Sequence, residues 1–196
     1  YNDISRAYAG EKLDKEKYTG FELALDEEEK RKSDAYERAE KFYINIFSGC
    51  DTDFLPAQDE AEGKPVFANT VYKCKTGIKE VRAFAEKNGV TENAFYNAVM
   101  GYVLSVFNYR NDSIFATIHN GRDDPRLQNI IGMSVKTYPL LCKCEPEMSV
   151  HNYLNDVRKQ ILGHMMNDSF SFSDISEAFD LTADISFTYY GDRYEL

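Results

Sequence analysis

The sequence lacks most of the features that assign a protein to a function class directly. No apolar run approaches the ~20 residues that a membrane-spanning helix needs, and no secretion signal is visible. Phosphate-binding glycine loops and the GxSxG nucleophile elbow are also absent. Basic residues are not in excess, and the net charge of −10 does not attract phosphate backbones. We therefore predict that the chain binds neither membranes nor nucleic acids.

Cysteine and histidine are too few and too scattered for a metal site. The four cysteines are Cys50, Cys74, Cys142 and Cys144. They form no CxxC pair, so we predict reduced thiols and a cytoplasmic location. The three histidines are His119, His151 and His164. Their separation predicts no zinc site, and we expect His151 and His164 to be solvated on one helix.

His119 ends a predicted strand beside an Asn-Gly-Arg turn. Such a histidine is either a catalytic base at a strand terminus or a polar residue at a sheet edge that backbone groups satisfy. No partner close in sequence orients its ring, which favours the second interpretation. Acidic residues are numerous, but no pair of carboxylates stands in a recognisable catalytic frame. Residue types and spacings therefore predict no self-sufficient catalytic site.

Length and composition predict a single α/β domain over residues 1–196. Hydrophobic residues make up 43% of the 196 residues, which supports a folded core. Segments with strand character alternate with segments of helical periodicity, so we predict a mixed β-sheet flanked by helices. The acidic, turn-rich segment 50–65 is the one plausible linker.

In the N-terminal half, periodicity predicts a helix tail that ends at Gly10 and a charged helix that begins near Asp26. The buried stripe of the second helix comprises Tyr36, Ala39, Tyr43 and Phe47. β-Branched and aromatic residues predict a strand over 66–75. A short helix is predicted over 79–87, where an Asn-Gly pair then stops it.

In the C-terminal half, Thr91 and Ser149 are predicted to cap two helices. The first helix has a wide apolar arc, typical of a helix buried between a sheet and other elements. That arc comprises Phe95, Ala98, Val99, Tyr102, Val103 and Val106. Alternating patterns predict three strands, over 113–119, 135–144 and 184–190. Pro139 lies in the second strand and marks an edge, a bulge or a strand end.

Two central segments carry the most specific pattern of the chain. They are NGVTENAFYNAVMGYVLSVFNYRNDSIFATIHNGR and IIGMSVKTYPL. They resemble the helix and strand before the Gly-Arg of condensation domains in nonribosomal peptide synthetases, and that family's Ile-Gly-x-Phe-Val-Asn-Thr motif. Weaker likenesses occur in DISRAYAGEKL, SDAYERAEKFY and MNDSFSFSDIS. The His-His-x-x-x-Asp-Gly motif of the family does not occur in this sequence.

This resemblance implies a chloramphenicol acetyltransferase-like lobe, the C-terminal one of two, truncated at both ends. Condensation domains form amide bonds between a carrier-bound thioester donor and an amine acceptor, in a tunnel between the lobes. Both substrates arrive on phosphopantetheine arms of carrier domains. We therefore expect no directly bound cofactor. We also expect carrier domains and the missing N-terminal lobe as partners, and no activity of the chain alone.

The resemblance also assigns residues that support the active site. Asn120, Gly121 and Arg122 match the Gly-Arg segment of the family. There the arginine would pair with the aspartate of the absent histidine motif, because a guanidinium stays charged and offers a fixed fork of donors. The alternative is a solvated turn arginine paired with Asp123 or Asp124.

Four further residues match the tunnel wall of the family. They are Gly132, Ser134, Lys136 and Thr137. Gly132 either permits close backbone approach or is a turn glycine with positive φ. Ser134 and Lys136 replace the phenylalanine and asparagine of the motif. A lysine at this position would either select an acidic group or point to solvent.

Two other functions remain open at this point. A related acyltransferase would act on a small alcohol or amine with coenzyme A or a carrier-bound donor. A non-catalytic lobe would dock carrier domains and would need a local basic patch, because carrier domains are usually acidic. Adenylation and carrier domains in the parent gene would favour peptide synthesis over the first alternative.

Overall fold

The computed structural model describes residues 2–13, 15–52, 67–128, 130–182 and 184–191. Its helices are α1 (Asn2–Tyr8), α2 (Gly20–Arg31), α3 (Asp34–Phe47), α4 (Ile78–Lys87), α5 (Glu92–Phe107), α6 (Val150–Met166) and α7 (Phe172–Phe179). The strands are β1 (Asp112–His119), β2 (Lys136–Lys143) and β3 (Ser186–Phe187), and a 3-10 turn spans Pro125–Leu127. Within those described ranges, no helix combines the length and the apolar character needed to cross a membrane.

The strands form one mixed sheet in the order β2-β1-β3. β1 pairs antiparallel with β2, which places His119 opposite Lys136, and it pairs parallel with β3. Alternate side chains of a strand point to opposite faces. Phe115 accordingly joins the apolar cluster with α5 and α6, whereas Ile114 joins the cluster with α3 and α7. Helices cover both faces, so the predicted mixed sheet flanked by helices is confirmed.

A side-chain amide occupies the outer edge of β2. Gln160 of α6 accepts a hydrogen bond from the Leu141 N–H at 2.7 Å and donates one to the Leu141 carbonyl at 3.0 Å. Because ladder bonds alternate in direction, Pro139 also turns its nitrogen to this outer side, where no ladder bond is lost. β2 ends the described sheet on this side, which confirms that Pro139 marks an edge.

Helix ends follow ordinary capping chemistry. The Thr91 hydroxyl accepts a hydrogen bond from the Ala94 N–H at 3.1 Å, as predicted for the start of α5. The Ser149 hydroxyl accepts one from the Asn152 N–H at 3.2 Å, which confirms the predicted start of α6. Gly89 has a φ of 69° just after α4, as the predicted Asn-Gly stop requires.

The charged helix predicted to begin near Asp26 is in fact two helices. Thr19 caps α2 in a capping box with Glu22, so this helix begins well before Asp26. Ser33 then caps α3 by accepting a hydrogen bond from the Ala35 N–H, which separates the two helices. The predicted apolar stripe belongs to α3 alone, and its buried members are Ala39, Tyr43 and Phe47.

The strand predicted over 66–75 is absent from 67–75, the described part of that range. Its apolar side chains are exposed; Phe67, Val71 and Tyr72 are 94%, 87% and 79% exposed. β-Propensity expresses how well a side chain fits a pleated, half-buried surface, and these residues have no such surface to lie on. The predicted acidic linker falls, beyond residue 52, outside the described residues.

The other three predicted strands differ in outcome. The strands over 113–119 and 135–144 are confirmed to within one residue at each end, as β1 and β2. The strand predicted over 184–190 is reduced to Ser186–Phe187, which pair with Ala116 and Thr117 of β1. The alternating pattern therefore predicted the position of this strand correctly, but not the number of its residues that pair with β1.

α5 is buried over a narrower face than its apolar arc predicts. Ala98 is buried, but Tyr102 and Val106 are exposed. The side of α5 that meets the sheet is lined by small residues, and a Cβ on Gly101 would lie 2.4 Å from the Cys142 Sγ. Small side chains allow the helix to approach the sheet closely, and Tyr102, Val106 and Phe107 face outward.

Candidate functional site

The Asn-Gly-Arg turn and the Ile-Gly loop lie side by side at the end of β1. Gly121 has a φ of 63°, and a Cβ there would stand 1.7 Å from the carbonyl oxygen of Ser134. Only glycine fits this position without movement of the backbone. The Ser134 hydroxyl donates a hydrogen bond to the Asn120 carbonyl at 2.9 Å. The structure thus brings Ser134 against Asn120 and Gly121, although Ser134 lies 14 residues from Asn120 in sequence.

Arg122 organises the loop that connects β1 to β2. One terminal nitrogen donates to the Leu127 carbonyl and, at 3.2 Å, to the Ile130 carbonyl. The other donates to the Gly132 carbonyl at 3.2 Å. No carboxylate of a described residue pairs with Arg122, so the alternative of a surface pair with Asp123 or Asp124 is wrong. The side chain is a backbone clamp that sequence reasoning did not foresee.

Among the described residues, Gly132 shows no close backbone approach and no positive φ, and its predicted place in the tunnel wall stays a prediction. It is not among the glycines with positive φ, and a Cβ built on it would meet only the Ile130 Cδ1, at 4.0 Å. Within the described chain its contribution is its carbonyl oxygen, which Arg122 binds. The backbone of any residue could supply that oxygen.

A cavity of about 210 Å³ opens between α2 and the adjoining ends of β1 and β2. Gly121, Ser134 and Lys136 line it, as does His119. Of the other predicted residues, Thr137 lies opposite Ile118 in the sheet and is half-buried. Asn120, Arg122, Gly132 and Thr137 are not among the lining residues.

Lys136 extends beneath α2 and forms an ion pair with Glu27. Neither prediction for this lysine anticipated a partner in the chain itself. Lys136 and Glu27 also line a second cavity of about 110 Å³. The ion pair therefore contributes to the walls of two neighbouring cavities.

His119 lies in the cavity wall with its ring held by its own turn. Its Nδ1 accepts a hydrogen bond from the Gly121 N–H at 3.1 Å, and its Nε2 lies 3.7 Å from the Asp123 carboxylate. A backbone N–H thus satisfies this polar residue at the end of β1, although β1 is the central strand of the described sheet. This contact agrees with the interpretation that the sequence favoured.

Sequence reasoning missed a cluster around Arg126 at the cavity mouth. The Arg126 guanidinium lies 4.4 Å from the ring centre of Tyr18 and contacts Asp124 at 2.7 Å and Asp26 at 3.0 Å. The Tyr18 hydroxyl also donates to Asp26 at 2.7 Å, which lowers the pKa of that carboxyl. No motif marks these residues, because their proximity depends on how α2 crosses the β1–β2 connection.

His164, predicted to be solvated, is fully buried beneath the cavity. Its ring stacks on Tyr43 and on Tyr138, at 5.4 Å and 5.3 Å between ring centres. Its Nδ1 lies 3.3 Å from the Tyr43 hydroxyl, and its Nε2 has no hydrogen-bond partner. Removal from water lowers the pKa of His164 to about 3, so the ring is neutral at pH 7.

α2 covers the cavity without burying any residue of its own. Ion pairs connect it to the rest of the lobe: Asp26 to Arg126, Glu27 to Lys136 and, at 3.0 Å, Arg31 to Asp174. Exposed ion pairs weaken as salt screens them. We therefore expect 1 M NaCl to accelerate amide hydrogen exchange in α2 by about threefold to tenfold, with α5 and β1 unchanged.

Two neighbouring glutamates provide a matched test of this attachment. Glu27→Gln removes a pair between α2 and β2, so α2 should exchange faster even at low salt. Glu28→Gln removes a pair with Lys32 at the end of the same helix, which attaches α2 to nothing else. Equal exchange rates in the two variants, or no response to salt, would show that α2 is held by other contacts.

The sequence model of the family described as "Condensation domain" matches residues 1–189. Gramicidin S synthase 2 of Brevibacillus brevis is 24% identical over 191 residues, which are 94% of this chain and 4% of that protein. Bacitracin synthase 3 of Bacillus licheniformis is 26% identical over 160 residues, which are 78% of this chain and 2% of that protein. The chain thus spans only a small part of the length of these relatives.

Solved structures give the same picture of the fold. The first condensation domain of the calcium-dependent antibiotic synthetase, in complex with a substrate analogue, superposes with a TM-score of 0.70 at 18% identity, covering 93% of this chain and 43% of that one. The condensation domain of the monacolin K polyketide synthase gives a TM-score of 0.68 at 16% identity, covering 95% and 45%. Such identities establish the fold alone, and the predicted chloramphenicol acetyltransferase-like fold class is confirmed.

Proposed function

Since this chain belongs to the condensation-domain family, we propose that it supplies one lobe of an enzyme that forms amide bonds. The single observation that carries the proposal is the family match over residues 1–189. In the proposed reaction an amine acceptor attacks a thioester donor. Both are held on phosphopantetheine arms of carrier domains, which are the proposed partners. The proposed site of action is the cytoplasm, and the four free cysteines support that assignment.

We further propose that the chain alone is inactive. The sequence contains no His-His-x-x-x-Asp-Gly motif, and the one histidine that lines the cavity, His119, has its Nδ1 occupied by the Gly121 N–H. Amide formation needs a positioned general base or an equivalent electrostatic group at the attacking amine. That group would come from a second lobe that faces this one across the tunnel.

Arg122 is the proposed link between the two lobes. Three backbone carbonyls fix its terminal nitrogens, but its Nε makes no hydrogen bond to a described residue and is not buried. The open edge of the guanidinium suits a carboxylate, such as the aspartate of the histidine motif. Asn120 and Gly121 would support this turn, and Gly132, Ser134, Lys136 and Thr137 would form the adjoining tunnel wall.

The proposal is tested by transplanting the lobe. In the condensation domain of gramicidin S synthase 2, the residues that align with 1–189 are replaced by this chain, and amide product is measured with two loaded carrier domains. We expect product from the chimera and none from the chain alone. Arg122→Ala in the chimera should lower the rate by about tenfold or more, as for loss of a charge-assisted hydrogen bond, whereas Lys159→Ala on the exposed side of α6 should not.

Three results would contradict the proposal. Product formed by the 196-residue chain alone would place the catalytic group within it. A chimera that melts cooperatively and binds carrier domains but forms no product would favour a docking module. Transfer of an acyl group from coenzyme A to a free alcohol, in place of amide formation between carriers, would favour the related class of acyltransferase.

A further inference from the structure

The inner wall of the 210 Å³ cavity presents a hydroxyl group that has no partner. Tyr138 is 5% exposed, and its ring is fixed by stacking on His164. Its hydroxyl makes no hydrogen bond to a described residue, and it is not among the atoms sealed from solvent, so it opens into the cavity. A hydroxyl held this rigidly at the base of a cavity is a ready acceptor for a ligand donor.

The charges around the cavity favour a cation. Five carboxylates and three basic side chains line it, which leaves two negative charges in excess. Asp26 and Asp124 share Arg126, and Glu27 pairs with Lys136. The remaining two carboxylates, Asp123 and Asp168, have only distant partners. They lie 3.7 Å from His119 and 3.9 Å from Lys30.

Asp123 and Asp168 line the same cavity as Tyr138. Burial raises the pKa of Tyr138, and the negative charges of Asp168 and Asp123 raise it further. The hydroxyl therefore stays protonated at neutral pH while two carboxylates act on it. A positively charged donor in this cavity would have the Tyr138 hydroxyl and the two carboxylates as oxygen acceptors. Its charge would interact favourably with each of them.

The form of the cavity selects an organic cation over a metal ion. Within the described ranges, no group of three or more ligand side chains is placed to hold a metal. Leu23, Leu127 and Met165 supply apolar wall beside the acceptors. An alkyl chain of a few carbons can lie on that wall while its charged end reaches the oxygen atoms. The volume suits a small molecule and is too small for a peptide.

We propose that this cavity binds the ammonium group of a small, free alkylamine, with the nitrogen at Tyr138 between Asp123 and Asp168 and the carbon chain on Leu23, Leu127 and Met165. The inference concerns binding by this lobe alone and does not depend on the proposed acyl transfer. Lys30 is its internal competitor, because it is the nearest cation to Asp168. Its side chain is largely exposed and can move aside at little cost.

The test uses the full chain and three probes of similar size. n-Butylamine, 1-butanol and butyrate are titrated separately at constant ionic strength, and amide chemical shifts are followed by NMR. We expect n-butylamine to shift amides in 119–124 and 165–168 saturably, at concentrations where neither of the others does. Equal responses to all three, or to added sodium chloride alone, would overturn the proposal.

Two variants locate the ammonium group. Tyr138→Phe keeps the ring on His164 and removes only the hydroxyl, and Asp168→Asn removes one charge. Each should weaken n-butylamine binding by about tenfold to a hundredfold, the usual effect of losing a hydrogen bond to a charged group. Asp156→Asn, on the exposed face of α6 where it pairs with Lys159, should leave the affinity unchanged. Unchanged binding in both cavity variants, with the fold intact by NMR, would place the amine elsewhere and defeat the inference.

Discussion

Gly121→Ala is expected to lower the free energy of unfolding by about 3 kcal/mol or more. Two costs combine at this position. An L-residue at a φ of 63° pays about 1–2 kcal/mol for the left-handed conformation. The new Cβ would also lie 1.7 Å from the Ser134 carbonyl oxygen, a backbone atom that cannot rotate away. The connection must therefore shift, and the hydrogen bond from Ser134 to Asn120 is lost with it.

Gly132→Ala is the matched control for this prediction. Both glycines lie in the same connection between β1 and β2, but Gly132 has no positive φ and no close neighbour. Its replacement should change the unfolding free energy by less than about 0.5 kcal/mol. A slight rise would come from the lower conformational entropy of the unfolded chain when alanine replaces glycine. Urea denaturation of both variants measures the difference. Similar losses in the two would mean that the turns do not pack as described.

The second large effect is a loss of stability in mild acid that depends on His164. The pKa of this buried ring is about 3, against 6.5 when it is exposed to water. Below pH 6.5 the unfolded chain therefore binds a proton at this ring that the folded chain does not bind. The free energy of unfolding is unaffected by this difference above pH 6.5 and falls as the pH drops from 6.5 towards 3. The slope is about 1.4 kcal/mol per pH unit, so about 2 kcal/mol is lost by pH 5.

Comparison with His164→Phe isolates this contribution. Phenylalanine keeps an aromatic ring between Tyr43 and Tyr138, so the variant can fold, although the Tyr43 hydroxyl loses its partner. Denaturation midpoints measured at pH 7, 6 and 5 should decline less steeply with falling pH for the variant than for the wild-type chain. The difference between the two slopes should correspond to the uptake of one proton on unfolding. His151→Gln on the exposed side of α6 should retain the steep decline. Parallel curves for the wild-type chain and His164→Phe would refute the burial of a neutral ring.

Local sequence signals predicted the elements whose formation depends on neighbouring residues. Thr91 and Ser149 start their helices, and Gly89 follows the end of α4, because caps and stops need only adjacent backbone groups. β1 and β2 were equally readable because both are rich in residues that suit a strand covered on both faces. Pro139 indicated an edge correctly, since its missing N–H is tolerated there and hardly elsewhere.

Errors arose where the outcome depends on what another part of the chain offers. Residues 67–75 have strand composition but no sheet surface to join, and α5 has more apolar side chains than its contact with the sheet can cover. His164 has the sequence context of a surface histidine, but aromatic rings of α3 and β2 pack against it. Each outcome is set by tertiary packing, which a single sequence pattern does not contain.

For the candidate site, too, the structure agrees with some of the sequence-based expectations and differs from others. The resemblance picked out Asn120, Gly121 and Ser134, which do meet, but it gave Arg122 no backbone partners. It also gave no role to Tyr18, Arg126 or α2. Tyr18 and Arg126 line the cavity because polar contacts hold α2, a helix with no buried residues, across it. Their roles stay predictions until they are tested.

The amide of Gln160 occupies hydrogen-bonding groups on the outer edge of β2, so the two edges of the sheet are not equally open to a further strand. A strand edge normally acts as a template on which a further extended chain can polymerise. On the β2 side that template is blunted, since Gln160 already binds both polar groups of Leu141 and Pro139 offers no donor. On the opposite side, the described part of β3 pairs with Ala116 and Thr117 of β1 alone. We therefore expect an additional strand to join the sheet more readily beside β3 than beside β2.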